Sequence, residues 1–352
     1  MIMPLFILGV KIDNLSKELV WQKISEILKS PENKGLQLVT VNPEFVLAAQ
    51  KDANFLRIIN HAWLAVPDGY GLRLAAKYLD LVSRVSFPPR VVARGKLWRE
   101  FNFGRLLLIT YYLLLGLKIA WWGMLRNDKK LDIIKETITG TDLIPEICKI
   151  LSVIPDNSNV IPAQAGIQEY PLIKKEGRGE VNSPIGESRS VPVKTGIRSG
   201  MTNKKIFLLG GFGETPRLVK EKLLKDVIPS SEGAMESLEI DYSVFEAENV
   251  IEKINNFAPA VLFVALNHPR AQKWIEENLP QMPSVKLAMG VGGAFDYLSG
   301  KIKRAPTKWQ GSFEWLYRLL HQPKRLRRIW QASIVFSWKV FKDSKFIRQT
   351  KN

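Results

Sequence analysis

The sequence predicts an α/β protein with a mostly parallel sheet in two halves, followed by a helical, basic C-terminal appendage. Short apolar strands alternate with amphipathic helices, glycine-rich turns follow several strands, and the C-terminal residues mix basic and aromatic side chains. We expect four segments: an N-terminal α/β half at 1–155, a disordered insertion at 156–204, a second α/β half at 205–310 and the appendage at 311–352.

The N-terminal half is predicted to alternate strands and helices. Residues 1–10 are apolar and lack the basic segment and the cleavage site of a signal peptide, so we expect a buried first strand. Ser16 can cap a helix with an apolar face. A β-branched strand at 36–41 precedes Pro43, which suits the first turn of a helix, and a second short strand is expected at 64–66.

The second half continues this alternation in a Rossmann-like arrangement. We expect strands at 205–209, 238–245, 261–266 and 286–291, with a helix at 217–224 after the first of them. From residue 312 onward the pattern is helical.

Two segments do not follow this pattern. Residues 106–125 are the most apolar, with Lys118 as their only charge, and match the ~20 residues that cross a bilayer. An interfacial or re-entrant element, a buried helix and a membrane span are the alternatives, and a span would separate parts expected to share one fold. Residues 156–204 are rich in Pro, Gly, Ser, Lys and Glu without a sustained period, which predicts disorder.

The charge balance favours polyanionic partners. Lys and Arg total 51 against 34 Asp and Glu, a net charge of +17, which suits a nucleotide diphosphate or an anionic membrane. The basic residues concentrate near apolar segments and the C-terminus instead of forming one stripe, so no nucleic-acid partner is expected. Cys148 is the only cysteine and is predicted to lie in the core, and the three histidines form no metal motif, so we expect no metal or cofactor.

Two loops that follow predicted strands carry candidate chemistry. One reads Thr-Val-Asn-Pro-Glu at 40–44 and the other Pro-Asp-Gly-Tyr-Gly at 67–71. Ligands of open α/β sheets bind outside the carboxyl ends of the strands, so both loops are expected to border one crevice. Asp68 offers a carboxylate there; the alternative interpretation is that Asp-Gly is only a turn.

Two glycine-rich loops follow strands of the second half. The turn at 209–216 can hold a diphosphate on backbone N–H groups. It has Pro216 where a dinucleotide fingerprint has its third glycine, so it argues only weakly for NAD. The run at 290–306 joins small residues to Asp296 and then to Lys301, Lys303 and Arg304, which is typical of a phosphate site.

The appendage mixes Arg, Lys and aromatic residues on predicted helices. The richest parts are 313–318 and 322–328. Such helices suit a phosphate-bearing lipid headgroup or a membrane surface, and the alternative is an ordinary solvated helix face.

In this order, the motifs resemble the WecG/TagA/CpsF glycosyltransferases. The set is TVNPE, PDGYG, ITGTDL (138–143), FLLGG, VALNHPRAQKWI (264–275), GVGGAFDYLSGKIKRAP and FEWLYRLL…PKRLRR. The resemblance covers nearly all of the chain except 106–125 and the insertion.

The resemblance implies an inverting, metal-independent transferase of cell-surface polysaccharide or teichoic-acid-type synthesis. Its donor would be UDP-N-acetylmannosamine or a related UDP-sugar, and its acceptor a polyprenyl-diphosphate-linked N-acetylglucosamine. We expect a cytoplasmic protein, peripherally associated with the inner face of the cell membrane through its anionic surface. Homo-oligomerisation is left open.

Matched by position, the resemblance implies that Asp68 is the general base and that Thr40 and Asn42 line the active-site pocket. Substrate-binding residues are expected in the loops described above and in the appendage, whose arginines would close over the site. They are Gly69, Gly71, Gly211, Gln272, Gly292, Gly293, Phe295, Asp296, Arg304, Arg318, Arg325 and Arg328.

Two departures from the family pattern favour an alternative. The family usually has Arg at the position of Thr137, and Pro-Lys-Gln-Glu where this chain reads Pro-Arg-Ala-Gln at 269–272. Ala271 thus replaces a polar glutamine, unless Gln272 substitutes from the next position. The alternative is a catalytically weak or silent homologue that binds a UDP-sugar or a membrane surface.

Overall fold

The computed structural model describes residues 4–84, 134, 136–154, 203–227, 238–302 and 326–350. The apolar stretch at 106–125, almost all of the predicted insertion at 156–204, and Arg304, Arg318 and Arg325 lie outside the described residues.

Eight strands lie within the described residues. They are β1 (Leu5–Ile7), β2 (Val10–Ile12), β3 (Leu36–Val41), β4 (Leu64–Pro67), β5 (Lys205–Gly210), β6 (Glu239–Ser243), β7 (Val261–Ala265) and β8 (Leu287–Gly290). Strands β3 to β8 form one sheet in the order β4-β3-β8-β7-β5-β6, and every neighbouring pair is parallel. The predicted α/β fold with a mostly parallel sheet is therefore confirmed.

Strand β8 joins the two parts of the sheet. Leu287 is in register with Leu36 of β3 on one side and with Val261 of β7 on the other. The two strands from the N-terminal part of the chain and the four from the later part therefore form one continuous sheet.

Strands β1 and β2, near the beginning of the described residues, form a hairpin outside this sheet. Strands β1 and β2 pair antiparallel, and Leu8 and Gly9 between them have φ angles of 51° and 76°, as a tight primed turn requires. The prediction of a single buried strand at 1–10 is therefore wrong, because the chain reverses at Leu8. The hairpin is attached to β4 through Asp13, whose N–H donates to the Ala65 carbonyl at 2.8 Å.

Helices flank the sheet on both faces. They are α1 (Lys17–Lys29), α2 (Pro43–Ala49), α3 (Ala53–His61), α4 (Tyr70–Arg84), α5 (Gly140–Val153), α6 (Thr215–Val227), α7 (Val250–Phe257), α8 (Arg270–Asn278), α9 (Ala294–Leu298), α10 (Leu326–Trp330) and α11 (Phe336–Thr350). A π-helical turn at Gln331–Val335 joins α10 to α11. Within the described ranges, no helix combines the length and apolar character needed to cross a bilayer.

Helices α1 and α2 begin where the sequence predicts, and in α1, α2 and α5 a side chain accepts an N–H group of the first turn. Ser16 caps α1 and Asn42 caps α2, with Pro43 as the first helical residue. Thr139 caps α5 and forms a reciprocal capping box with Asp142. Cys148 of α5 is buried as expected, and burial raises the pKa of its thiol to about 12.

The core has two layers because alternate strand residues face opposite sides of the sheet. Leu38 of β3 packs in the layer covered by α1, α5 and α6, whereas its neighbour Val39 packs in the layer covered by α2, α3 and α4. Helices α7 and α8 cover the rest of this second face.

The C-terminal helix α11 is part of this core. Phe336 and Val340 are each 2% exposed and belong to the same buried cluster as Phe45 of α2 and Leu72 of α4. The appendage therefore packs over the two helices that begin at the predicted catalytic loops.

Candidate active site

The predicted site loops share the carboxyl edge of the parallel sheet. Asp68 follows β4, Asn42 follows β3, Val291 follows β8 and Gly211 follows β5. Neighbouring strands lie ~5 Å apart, so two spacings, ~10 Å, separate the end of β4 from that of β8. Ligands of open α/β sheets bind along this edge.

The backbone under Asp68 is held by two neighbouring segments. The Asp68 N–H donates to the Val41 carbonyl at 2.6 Å, and the Pro67 carbonyl accepts the Ile138 N–H at 2.8 Å. Gly69 has a φ of 88°, which residues with a side chain rarely adopt, and no described atom lies within 4 Å of the position of a Cβ. The Asp-Gly pair is thus a tight turn with open space directly after the half-buried Asp68.

Thr40 and Asn42 lie next to this turn. Thr40 is 7% exposed in β3 and is in register with Val66 of β4. The Asn42 Oδ1 accepts the Phe45 N–H at 3.0 Å as the cap of α2. The structure therefore brings the three predicted catalytic residues to two adjacent strand ends.

Gly71 has a packing role. A Cβ on Gly71 would lie 2.8 Å from Cγ of Pro43 and 3.9 Å from the carbonyl oxygen of Ala332. Helices α4 and α2 and the appendage can therefore approach one another at this point only because Gly71 lacks a side chain.

The glycine turn after β5 is held by Lys301. The Thr215 hydroxyl donates to the Phe212 carbonyl at 2.7 Å, and the Lys301 ammonium donates to that carbonyl at 3.3 Å and to the Thr215 Oγ1 at 2.6 Å. The Phe212 ring is 82% exposed at the tip. Lys301, predicted to supply charge for phosphates, thus also attaches this turn to the segment after β8.

The segment after β8 turns through Gly292 and Gly293 into the short helix α9. Asp296 lies in the first turn of α9, half-buried, and its carboxylate has no hydrogen-bond partner among the described residues. Phe295 is 1% exposed, and a Cβ on Gly211 would lie 3.5 Å from its ring. This burial gives Phe295 a packing role under the glycine turn, and its contact with a substrate stays a prediction.

The start of α5 lies between the Asp68 turn and the segment after β8. Ile138 is bonded to Pro67 as described above, and a Cβ on Gly140 would lie 3.5 Å from the Val291 carbonyl oxygen and 3.6 Å from Cβ of Ala294. The segment at 138–143 therefore joins the two loops expected to border the crevice.

Ala271 and Gln272 are buried in the first turn of α8, at 0% and 2% exposure. A Cβ on Gly290 would lie 2.6 Å from Nε2 of Gln272 and 3.0 Å from Cβ of Ala271, so both pack against the end of β8. Oε1 of Gln272 has no partner among the described residues. Gln272 is therefore packed beneath the loop, and its substitution for the missing glutamine stays a prediction.

An ionic cluster joins the appendage to the sheet edge. We call Glu44, His268 and Arg328 the Glu44 cluster. The Glu44 carboxylate accepts Nε of Arg328 at 3.2 Å and Nη2 at 2.6 Å. Nε2 of His268 lies 3.8 Å from Oε2 of Glu44, and its ring stacks on Phe45 with centroids 4.8 Å apart. Among the predicted appendage arginines, Arg328 is the one described, and its guanidinium is bound to Glu44.

The charges of the cluster affect one another. Burial lowers the pKa of His268; the Glu44 carboxylate opposes this shift and the Arg328 cation adds to it. The hydrogen bond to Glu44 raises the pKa of Arg328. At neutral pH His268 is therefore a neutral ring beside the ion pair of Glu44 and Arg328.

Our sequence reasoning did not select Glu44 and His268. Each lies three residues beyond the end of a strand, Glu44 after β3 and His268 after β7, so polar residues just beyond parallel strands were the available signal. No local pattern pairs them with Arg328, which is 284 positions from Glu44.

These features define the class of α/β protein. An open parallel sheet that gathers a carboxylate turn and glycine loops at its carboxyl edge is typical of α/β proteins that bind phosphate-bearing ligands. Within the part of the chain that the structure describes, no group of three His, Cys, Asp or Glu side chains is arranged to hold a metal ion. The sequence profile of the glycosyl transferase WecG/TagA/CpsF family matches residues 5–93 and 197–350, and the chain belongs to this family.

Curated relatives from two Staphylococcus aureus strains are similar to part of the chain. The protein of strain MRSA252 is 32% identical over 152 residues, and that of strain MW2 is 31% identical over 152 residues. Both are named N-acetylglucosaminyldiphosphoundecaprenol N-acetyl-beta-D-mannosaminyltransferase. Each match covers 43% of this chain and 58% of the relative, so the chain spans less than two thirds of the relatives' length.

Proposed function

We propose that this chain is a glycosyltransferase that moves N-acetylmannosamine, or a related sugar, from a UDP donor to a polyprenyl-diphosphate-linked N-acetylglucosamine. The observation that carries the proposal is the family match, which includes the predicted catalytic loops and the glycine loops at one sheet edge. The names of the two relatives support the choice of sugar and acceptor. The product would serve cell-surface polysaccharide or teichoic-acid-type synthesis.

The proposed reaction is a single inverting displacement. Asp68 accepts the proton of the acceptor hydroxyl while that oxygen attacks the anomeric carbon of the donor and the bond to UDP breaks. The backbone bonds to Val41 and Ile138 support this role because they fix the turn that carries the carboxylate. A positioned general base contributes roughly 10²–10⁴-fold to rate.

Charge on the departing UDP is proposed to be stabilised without a metal. Backbone N–H groups of the glycine loops and the cations Lys301 and Arg328 are the candidates among the described residues. Each well-placed donor contributes ~3–4 kcal/mol where charge develops in a transition state. Lys301 supports this role because it is held at the glycine turn by Thr215.

The appendage is proposed to hold the enzyme at the cytoplasmic face of the cell membrane, where a lipid-linked acceptor lies. Leu326, Trp330 and Trp338 are 50–56% exposed, and Arg327 is exposed beside them. Aromatic and basic side chains on one helical segment suit the headgroup region of an anionic leaflet.

The test is UDP release by the purified chain supplied with UDP-N-acetylmannosamine. We expect release only when a polyprenyl-diphosphate N-acetylglucosamine acceptor is added, and a loss of at least about 100-fold in Asp68→Asn with UDP affinity retained. Asp241→Asn, on edge strand β6, is the matched control and should keep the wild-type rate. Full turnover in Asp68→Asn would exclude Asp68 as the base.

A catalytically silent homologue that binds UDP-sugars is the second candidate. It is favoured by Ala271, which stands at the position of the family's polar glutamine, and by the burial of both Ala271 and Gln272. Glu136, beside the missing arginine, accepts the Lys17 N–H at 2.6 Å and so serves the start of α1. Calorimetric binding of UDP without turnover of any UDP-sugar and acceptor pair would favour this candidate.

A further inference from the structure

The Glu44 cluster joins a well-packed part of the fold to helix α10 of the appendage. Glu44 is the second residue of α2, and its neighbours Pro43 and Phe45 are buried. Helix α2 directly follows β3, and β3 lies in the interior of the sheet between β4 and β8. The carboxylate is therefore fixed relative to the carboxyl edge by the core.

The appendage side of the pair is much less constrained. Arg328 lies in α10, where Leu326 and Trp330 are more than half exposed, whereas Phe336 and Val340 anchor the later helix α11. The Arg328 side chain is itself 54% exposed. A long exposed side chain samples many rotamers, so its orientation depends on the partner that holds it.

The geometry of the pair leaves part of the guanidinium for another anion. Glu44 takes the edge formed by Nε and Nη2, and Nη1 is not used by the carboxylate. Guanidinium groups can bind a carboxylate and a phosphate at the same time because their five N–H donors point in different directions. His268 contacts the same carboxylate without adding a second cation, since burial lowers its pKa.

We infer that Glu44 is a positioning residue: it holds Arg328 and helix α10 of the appendage over the carboxyl edge so that Nη1 faces the diphosphate of a UDP ligand. This inference rests on the proposed function for its ligand, but the docking of the appendage can be measured without any ligand. Glu44 itself touches no reacting atom.

The test compares three variants: Glu44→Gln, the double variant Glu44→Arg with Arg328→Glu, which swaps the two charges, and the control Glu276→Gln. Glu276 is a matched control because it pairs with Arg57 at 2.8 Å, joins two helices and is half exposed. Two quantities are measured on the full chain: the rate of hydrogen–deuterium exchange at 326–335 without ligand, and the dissociation constant for UDP.

In Glu44→Gln, the amide hydrogens at 326–335 should exchange about fivefold faster and UDP should bind about fivefold more weakly. A change of about fivefold is at the upper end of what a half-exposed ion pair contributes. The double variant should restore slow hydrogen–deuterium exchange at 326–335. It should not restore UDP affinity, because the guanidinium then projects from α2. Glu276→Gln should alter neither quantity.

An unchanged rate of hydrogen–deuterium exchange at 326–335 in Glu44→Gln would overturn the inference. A double variant that does not restore the slow wild-type rate would overturn it as well. Faster exchange with unchanged UDP affinity would reject the positioning role. If the wild-type chain binds no UDP, the proposed function fails, whereas the exchange rates still decide whether Glu44 holds the appendage.

Discussion

The Lys301 ammonium donates a hydrogen bond to the Thr215 hydroxyl at 2.6 Å and thereby connects the two glycine loops of the second half. Thr215 is completely buried, and its hydroxyl also donates to the Phe212 carbonyl. The turn after β5 is thus held by a residue that lies 86 positions later in the chain.

Lys301→Met should loosen the glycine turn. It removes the donor to Thr215 and to the Phe212 carbonyl, and we expect the free energy of unfolding to fall by about 1 kcal/mol. Urea denaturation measures this change. Lys149→Met, which removes an exposed ion pair within α5, is the control and should have a smaller effect. Equal effects of the two substitutions would show that Lys301 does not hold the turn.

Gly71→Ala should destabilise the junction of α2, α4 and the appendage. The added Cβ would lie 2.8 Å from the Pro43 ring, and neither helix can move without disturbing buried neighbours. We expect a loss of about 1–3 kcal/mol in the free energy of unfolding. Gly293→Ala is the control, because its Cβ would meet nothing closer than 3.7 Å. A Gly71→Ala protein as stable as Gly293→Ala would contradict this packing.

His268 should make the protein less stable in mild acid. Burial lowers its folded pKa below 6.5, its ordinary value, with Glu44 opposing and Arg328 assisting the shift. The unfolded chain therefore binds the proton more readily. The stabilising effect of the neutral ring is complete above pH 6.5 and is lost as the pH falls through the folded pKa.

The substitution His268→Gln isolates this effect, because all other groups titrate in both proteins. Between pH 7 and pH 5 we expect the wild-type chain to lose more unfolding free energy than His268→Gln, measured by urea denaturation at each pH. Parallel pH profiles would mean that His268 protonates equally in both states.

Trp330 and Trp338 should contribute to membrane binding. They are 55% and 50% exposed on the appendage, and replacing both with Ala should weaken binding to vesicles with anionic lipid by about tenfold or more, because apolar burial is lost. Co-sedimentation measures the binding, and added salt should reduce it. Phe6→Ala, a 55% exposed aromatic on the hairpin, is the control and should bind as wild type.

The elements of the fold could be predicted where local chemistry decides them. The strands β3, β5 and β7, the cap Ser16 and the position of Pro43 at the start of α2 depend on neighbouring residues. The reversal at Leu8 was missed because an apolar run does not reveal a turn when the residue before Gly9 is not a typical turn former.

The candidate site was predictable only in part. Parallel strands place their following loops at one edge, so Asp68, Asn42 and Gly292 could be grouped from their order in the sequence. Burial could not be derived in this way: Phe295 and Gln272 lie in motifs of the site, but they point into the core.

The sequence by itself determined the alternation of strands and helices, the loops at the strand ends and the resemblance to one family, because each depends on residues close together in the chain. Only the tertiary structure decided that β8 pairs with both β3 and β7, that Lys301 holds the Thr215 turn and that Glu44 binds Arg328. Those contacts join residues far apart in the chain, and their geometry follows from how the sheet, the helices and the appendage pack together.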